Sequence, residues 1–344
     1  MRKMTSMALL AALLSAGPAL AAPGDLAARE MRYIQTTFPG RLAGSPEEDK
    51  AARYIGDRLV AMGYRPRLER FPTSYELESK NPDRDPDPIL IISTNVIAER
   101  PGTSGKQIII GAHFDTRVMR TRRDRERRIG GPDLQGLDDN ASGTGVILEL
   151  AEQFAKANPT HTIKFVFFGA EEIGLKGAYE IARNMSEEER ANTLLMINID
   201  SVVTGDQLYI HAGPRTLLKN PAGGVARDRA LTLAKGLGID VRTNPGLNAD
   251  YPKGTGCCSD QAAFDQYGIP AINMEATNWE LGEKDGYQQT DKRPEFPGGY
   301  SWHLIDIDKG SHLEPALAKG RVDQRASQAV RVLSAVLTDM AVKP

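Results

Sequence analysis

The chain has 344 residues, of which 40% are hydrophobic and 26% are charged, so it can bury a large core and is neither a disordered nor a fibrous protein. Its 43 lysines and arginines nearly balance its 45 aspartates and glutamates. The net charge therefore gives no reason to expect nucleic acid or an anionic membrane surface as a partner.

The N-terminal residues are typical of a secretory signal peptide. Arg2 and Lys3 precede an apolar run over residues 7–16, and small residues follow as far as Ala21. We expect cleavage after Ala21, which leaves residues 22–344 as one exported domain. No later segment approaches the ~20 consecutive apolar residues of a membrane-spanning helix, so no membrane span is predicted.

Short apolar runs alternate with segments of helical period along the rest of the chain. A helix start is predicted where Ser45 can act as N-cap, Pro46 occupies the first turn and Glu48 supplies a capping-box carboxylate. This alternation predicts an α/β fold of three layers, α/β/α, in which a central mixed and mainly parallel sheet is covered by helices on both faces, in a single domain. Strands are predicted over residues 64–71, 89–96, 107–112, 162–168, 194–199, 207–211 and 269–274, and helices over 45–62, 141–154, from 171 onward, 225–237 and 324–340.

Two polar segments interrupt this pattern. Residues 81–88 are rich in proline and aspartate and predict a loop. Residues 113–137 form a connection much longer than the usual ~4–6 residues, and seven arginines lie between positions 117 and 128. We favour a solvated, mobile loop, and the alternative is that these arginines recognise a substrate carboxylate or an acidic partner.

The only two cysteines are adjacent, at Cys257 and Cys258. An exported protein can form disulfides, but neighbouring cysteines can pair only as a strained ring. The sequence leaves two alternatives open, this ring or two free buried thiols, and it excludes a disulfide framework.

Polar side chains follow three of the predicted strands at the point where each strand ends, and two aspartates open the helix between the first two of these strands. In an α/β sheet such positions line the crevice where ligands bind. Histidine and carboxylates together suit zinc or a similar divalent ion. The residues concerned are His113 and Asp115, Asp138 and Asp139, Glu171 and Glu172, and Asp200.

This set of side chains exceeds what one ion needs. A catalytic ion takes about three protein ligands, so one histidine with even four of these carboxylates indicates two ions sharing a carboxylate, about 3.5–4 Å apart, with a bridging hydroxide. A carboxylate that is not a ligand could pass the proton of the water to a leaving amine. Taken singly, the glutamate pair could serve a helix dipole and the aspartate pair an N-cap, but their joint occurrence favours catalysis.

The motifs at residues 111–115, 136–143, 169–174 and 198–200 together resemble those of the co-catalytic zinc peptidases related to secreted bacterial leucyl aminopeptidases. Glutamate carboxypeptidases and glutaminyl cyclases are relatives of that family. The resemblance implies two zinc ions per chain. One would be held by His113, Asp139 and Asp200, and the other by Asp139, Glu172 and His303.

The same resemblance implies two catalytic roles. Glu171 would be the general base, and Asp115 would orient His113 from behind. Asp138 resembles the residue before the bridging ligand and is not itself a ligand. His303 departs from the family pattern because Leu304 follows it where threonine is usual, so a core histidine beside Trp302 is the alternative there.

Residues 243–303 resemble most densely a branch of this family that converts the isozymes of secreted alkaline phosphatase. This resemblance implies a periplasmic enzyme that removes an N-terminal basic residue, typically arginine, from a secreted protein, with alkaline phosphatase as a candidate substrate. An arginine at the first position needs a negatively charged pocket. The candidate carboxylates for that pocket are Asp260, Glu275, Glu283 and Asp285.

Three alternative functions stay open. A carboxypeptidase or dipeptidase would recognise a C-terminal carboxylate, for which the arginine-rich loop is the only sequence indication. A glutaminyl cyclase normally uses a single zinc, so the two-metal ligand set argues against it. A non-enzymatic binding domain of this fold would have lost ligands, and this chain retains them.

Overall fold

A single eight-stranded sheet forms the centre of the computed structural model, which describes residues 22–79, 86–219, 222–256 and 258–343. The strand order is β1-β2-β4-β3-β5-β8-β6-β7. The strands are β1 (Arg67–Leu77), β2 (Asp87–Arg100), β3 (Gln107–His113), β4 (Thr162–Phe168), β5 (Thr193–Asp200), β6 (Gln207–Ala212), β7 (Val241–Arg242) and β8 (Ala271–Thr277).

The four middle strands β4, β3, β5 and β8 are mutually parallel, whereas β1, β2 and β6 join the sheet in antiparallel pairings. The parallel strands therefore end at one common edge of the sheet. Most of the site residues predicted above lie at the ends of these strands or in the segments that follow them, so a functional site is expected at this edge of the sheet.

Helices cover both faces of the sheet, which confirms the predicted three-layer α/β/α fold. Ile108 and Ile110 of β3 face one core and Ile109 faces the other, because successive side chains of a strand point to opposite faces. None of the helices in the described ranges is long and apolar enough to cross a membrane. The helices are α1 (Asp25–Thr37), α2 (Pro46–Ala61), α3 (Arg122–Arg127), α4 (Gly143–Phe154), α5 (Lys176–Asn184), α6 (Glu187–Asn192), α7 (Pro214–Lys219), α8 (Ala222–Gly236), α9 (Gln261–Gln266), α10 (Gly310–Ala316) and α11 (Arg321–Leu337).

The helix expected from residue 171 begins later than predicted. Gly174 and Leu175 both have positive φ, at 112° and 58°, which interrupts the right-handed helix, so α5 begins only at Lys176. The glutamate pair at positions 171 and 172 therefore lies in a turn rather than in a helix.

The long arginine-rich connection is more ordered than the mobile loop we favoured from the sequence. It contains α3, whose N-terminus is closed by a reciprocal capping box between Thr121 and Asp124. At the start of α2, the Ser45 hydroxyl accepts from the Glu48 N–H as predicted, but the Glu48 carboxylate accepts from the Gly44 N–H instead of completing a box.

The predicted signal peptide, residues 1–21, lies outside the described residues, so both the signal peptide and its cleavage after Ala21 stay predictions. The same holds for most of the predicted 81–88 loop. Cys258 is disulfide-bonded, which excludes a free thiol at that position, whereas Cys257 lies outside the described residues.

Candidate metal centre

Six predicted site residues surround one cavity at the carboxyl edge of the parallel strands. His113 ends β3, Glu171 and Glu172 follow β4, and Asp200 ends β5. Asp139 lies in the irregular turn before α4, and His303 lies in the connection between β8 and α10. The cavity has a volume of about 360 Å³, and all six residues line it.

The Asp139 carboxylate lies between the two histidines. Its Oδ1 is 3.2 Å from Nε2 of His113, and its Oδ2 is 3.1 Å from Nε2 of His303. Each histidine also faces a further carboxylate, since His113 Nε2 lies 3.4 Å from Asp200 Oδ1 and His303 Nε2 lies 3.1 Å from Glu172 Oε2. Two potential ligand sets thus share Asp139, as the resemblance implies for a bridging ligand.

The Glu171 carboxylate lies within reach of the first of these sets. Potential ligand atoms of His113, Glu171 and Asp200 lie within 4.8 Å of one another, and so do those of Asp139, Glu172 and His303. Glu171 is half-buried and lines the cavity, whereas Glu172 is buried. The position of Glu171 is compatible with a base that faces substrate. Because Glu171 also lies close to His113 and Asp200, it could instead be a metal ligand, and the metal content of a Glu171 variant decides between the two roles.

The electrostatics of the site fit bound cations. Burial raises the pKa of Glu171 well above its ordinary value, and the neighbouring Asp260, Glu172 and Asp200 carboxylates raise it further. Burial lowers the pKa of His303, but the Glu172 and Asp139 carboxylates outweigh it and raise that pKa to about 10.

The donor atoms also fit zinc. Glu172 Oε1 is buried and has no hydrogen-bond partner among the described residues, so this oxygen is available to coordinate a metal ion. Imidazole nitrogens and carboxylate oxygens are donors that zinc takes in catalytic sites. The residues present therefore fit zinc, and the two potential ligand sets share Asp139.

Asp115 supports the site in a way that the sequence predicted only in part. Its carboxylate accepts the N–H groups of Glu171 and Glu172, at 3.0 and 3.2 Å, and so fixes the turn that carries both glutamates. His113 Nδ1 lies 3.2 Å from the Asp115 carbonyl oxygen and 3.7 Å from its carboxylate. Asp115 therefore positions both the end of β3 and the turn that follows β4. The sequence analysis expected it to orient His113 alone.

Asp138 is buried and accepts hydrogen bonds rather than facing the cavity. Its carboxylate accepts from the Val203 N–H, the Gln289 amide and the Ser301 hydroxyl, at 2.8, 2.8 and 3.0 Å. These bonds tie the turn before α4 to the segments that follow β5 and β8. Asp138 is thus a positioning residue, whereas the resemblance implies only that it is not itself a ligand.

Asp308 is a site residue that the sequence analysis did not identify. It is fully buried, and its two carboxylate oxygens accept the N–H groups of Asp138 and Asp139 at 2.7 and 3.1 Å. Asp306, two residues earlier, is instead paired with Arg128 at the surface. The signal available was an aspartate five positions after His303.

We expect Asp308→Asn to lower both metal affinity and stability. An asparagine offers one acceptor oxygen and turns an amide donor towards the second N–H, so one buried donor is left unpaired, at a cost of about 1–3 kcal/mol in the free energy of unfolding. Metal affinity should fall roughly 10- to 100-fold, as it does when residues supporting a ligand are changed. Denaturant unfolding and metal titration measure the two effects.

Asp306→Asn is the matched control for this substitution. The Arg128–Asp306 pair is more than half exposed on both sides, so its loss should change the free energy of unfolding by less than about 1 kcal/mol. Equal effects of the two substitutions would show that Asp308 does not hold the metal-binding turn.

Comparisons of the sequence and of the fold with known proteins agree with the peptidase resemblance found in the motifs. Residues 95–320 match Peptidase family M28. The chain is 42% identical over 319 residues to the alkaline phosphatase isozyme conversion protein of Escherichia coli strain K12, covering 93% of this chain and 91% of that protein. A zinc aminopeptidase structure from Bacillus subtilis matches with a TM-score of 0.68 at 16% identity, covering 94% of this chain and 96% of that one. A glutaminyl cyclase structure from Fimbriiglobus ruber matches with a TM-score of 0.64 at 15% identity, covering 91% and 94%.

Fold and site together define the class of protein, a zinc-dependent hydrolase of the exopeptidase type. The chain belongs to Peptidase family M28. This membership confirms the resemblance predicted from the motifs and, with it, the predicted enzyme class, a zinc-dependent aminopeptidase.

Proposed function

We propose that this protein hydrolyses the N-terminal peptide bond of proteins or peptides at a centre of two zinc ions and favours a basic first residue such as arginine. The observation that carries the two-ion proposal is the Asp139 carboxylate, each of whose oxygens lies within 3.2 Å of a different histidine. A second carboxylate accompanies each histidine, Asp200 on one side and Glu172 on the other.

Zinc bound here would polarise the scissile carbonyl and lower the pKa of a water molecule towards about 7. Glu171 faces the same cavity and would take the proton as the water oxygen bonds to the carbonyl carbon. The proton then goes to the amine nitrogen as the carbon–nitrogen bond breaks. Asp115 holds the Glu171 backbone N–H, and this fixes the base relative to His113.

Glu275 is the carboxylate best placed to bind a basic first residue. It lies on β8 directly opposite Asp200 of β5, at the same edge of the sheet. Its Oε1 accepts from Trp279 Nε1 at 2.9 Å and lies 3.1 Å from His211 Nε2. The Asn244 N–H donates to Nδ1 of His211, so the proton of a neutral His211 lies on Nε2 and points at Glu275.

These contacts orient the Glu275 carboxylate and leave its charge uncompensated. No lysine or arginine of the described residues forms an ion pair with it, and its side chain is 16% exposed. Of the other candidates, Asp260 is fully buried and Glu283 is exposed at the surface. A guanidinium or ammonium group of the substrate would supply the missing positive charge.

The test is amino acid release from peptides that begin with arginine, lysine, leucine or glutamate, each with a free or an acetylated N-terminus. We expect release that needs the free amine, is fastest for arginine and lysine, stops on chelation and returns with zinc. Release from the other end of acetylated peptides would instead indicate a carboxypeptidase. Conversion of an N-terminal glutamine peptide with loss of ammonia and no shortening would indicate a glutaminyl cyclase.

The same panel applied to Glu275→Gln tests the basic preference. The amide keeps the acceptor oxygen for Trp279 but carries no charge, so the ratio of kcat/KM for arginine over leucine peptides should fall by roughly 10- to 100-fold. Glu283→Gln is the control, and its ratio should stay at the wild-type value. An unchanged ratio in Glu275→Gln would place the basic pocket elsewhere.

We further propose that the enzyme acts in the periplasm on secreted proteins, with alkaline phosphatase as a candidate substrate. The signal-like N-terminus and the name of the Escherichia coli relative support this assignment. Fractionation of cells expressing the full chain, followed by N-terminal sequencing of the enzyme and of co-expressed alkaline phosphatase, tests it. A cytoplasmic enzyme that retains residues 1–21 would refute it.

A further inference from the structure

Two arginines line the cavity of the metal centre. Arg117 and Arg120 lie in the connection after β3 and are half-buried. Nη1 of Arg117 is 3.8 Å from Glu172 Oε2, while its Nε is buried and has no hydrogen-bond partner in the described part of the chain. A buried guanidinium N–H without an acceptor is costly, so a substrate acceptor at this position would be stabilising.

The backbone that carries these two arginines is fixed at both residues. The Arg117 carbonyl accepts from the Gly131 N–H at 2.8 Å. The Arg120 N–H donates to Asp124 Oδ2 at 2.9 Å, and the Arg120 carbonyl accepts from the Glu78 N–H at 2.9 Å. The guanidinium groups are therefore presented by an ordered segment, which reduces the entropy lost when they bind a ligand.

The remaining arginines of this connection do not line the cavity. Arg122 pairs with Glu126 and Arg128 with Asp306, both at the surface. For the Arg120 guanidinium, by contrast, the structure shows no ion pair and no side-chain hydrogen bond within residues 22–79, 86–219, 222–256 and 258–343. Two of the seven arginines thus differ from the others, because they line the cavity of the metal centre.

The strand order separates the positive and negative ends of the site. Glu172 follows β4, His113 ends β3, Asp200 ends β5 and Glu275 lies on β8, and these strands are adjacent in that order. Arg117 lies beside Glu172 and therefore on the side of the centre away from Glu275. A peptide whose first side chain reaches Glu275 would extend its following residues towards the arginines.

We propose that Arg117 and Arg120 bind a carboxylate of the substrate beyond the scissile bond, so that the enzyme prefers peptides with a basic first residue followed by a negative charge. Guanidinium groups bind carboxylates through charge-assisted and often bidentate hydrogen bonds. The carboxylate can belong to an acidic side chain at the second residue, or to the C-terminus of a short peptide. This inference rests on the proposed aminopeptidase function.

The experiment compares kcat/KM for four peptides with the zinc-loaded enzyme. Arg-Glu-Ala-amide against Arg-Gln-Ala-amide isolates a side-chain carboxylate, and Arg-Ala-Ala against Arg-Ala-Ala-amide isolates the C-terminal one. We expect at least one charged peptide to be preferred over its neutral partner by 10- to 100-fold. The pair that shows this preference identifies the source of the carboxylate.

The variant that tests the assignment is Arg120→Gln, because Arg120, unlike Arg117, does not contact a candidate metal ligand. The charged-over-neutral ratio should fall towards one, and Arg120→Lys should restore part of it. Arg123→Gln is the control, since Arg123 is exposed on α3, and its ratio should match that of the wild type. Zinc content is measured for every variant to exclude metal loss.

Two failures of this experiment are distinguishable. Release of arginine from all four peptides at similar rates would overturn the carboxylate assignment and leave the aminopeptidase standing. Absence of release from every free-amine peptide with two ions bound would instead refute the proposed function. A preference that survives Arg120→Gln and is lost in Arg123→Gln would place the anion-binding group at the surface.

Discussion

Glu171→Gln is expected to lower kcat by about 10²- to 10⁴-fold while both zinc ions remain bound. The substitution keeps the size of the side chain and the backbone N–H that donates to Asp115, but it removes the carboxylate oxygen that we propose takes the proton from water. Because the amide still occupies the same space in the cavity, KM for an arginine peptide should change far less than kcat. Steady-state kinetics and the metal content of the purified protein are the two measurements.

The metal content distinguishes two roles for this residue. Potential ligand atoms of Glu171, His113 and Asp200 lie within 4.8 Å of one another, so these three residues could hold one ion together. A variant that loses one ion would therefore show that Glu171 is a ligand rather than the base. A variant with near-normal turnover would refute the base assignment altogether. Glu180→Gln on α5 is the control, and we expect it to keep both the turnover and the two ions.

The sequence predicted the central sheet well because each buried strand is a short local signal. The runs at 107–112 and 162–168 are nearly continuous apolar segments, and β3 and β4 occupy almost the same residues. The polar residues that follow them were assigned to one edge because parallel strands end together. The same reasoning placed His113, Glu172 and Asp200 around one cavity, although their assignment as ligands remains a prediction.

What the sequence could not predict depends on contacts between distant segments. Asp308 reaches the Asp138 N–H across 170 residues, and no periodicity encodes that contact. Arg41 is fully buried, and its guanidinium donates to the carbonyls of Phe114, Gln135 and Gly136, which joins the two segments on either side of the arginine-rich connection. From the sequence alone such an arginine is indistinguishable from a surface residue.

The predicted start of α5 was wrong for a different reason, which is local. The period of the residues after position 171 is helical, and a glutamate pair is common in a first helical turn. The positive φ angles of Gly174 and Leu175 instead create a turn, and this turn lets the N–H groups of Glu171 and Glu172 both reach Asp115. At this position the hydrogen bonds to Asp115, rather than the helix propensity of the sequence, determine the backbone conformation.

His303→Ala is expected to reduce the zinc content from two ions to one and to lower kcat by at least 100-fold. Nε2 of His303 lies 3.1 Å from both Asp139 Oδ2 and Glu172 Oε2, so its removal takes one of three donors from that ligand set. The set of His113, Asp139 and Asp200 is untouched and should keep its ion. Elemental analysis after dialysis against a weak chelator measures the difference, and zinc titration should show one tight and one weakened site.

Two further variants separate the loss of the imidazole from other effects. His303 has a positive φ of 63°, a conformation that asparagine adopts more readily than alanine, so His303→Asn tests for backbone strain and should also bind one ion. His312→Ala removes a histidine that contacts the Glu295 carbonyl and the Phe296 ring and does not line the cavity, so this variant should retain two ions. Two ions in both His303 variants would mean that the last ligand lies elsewhere and that this histidine lines the cavity without binding metal.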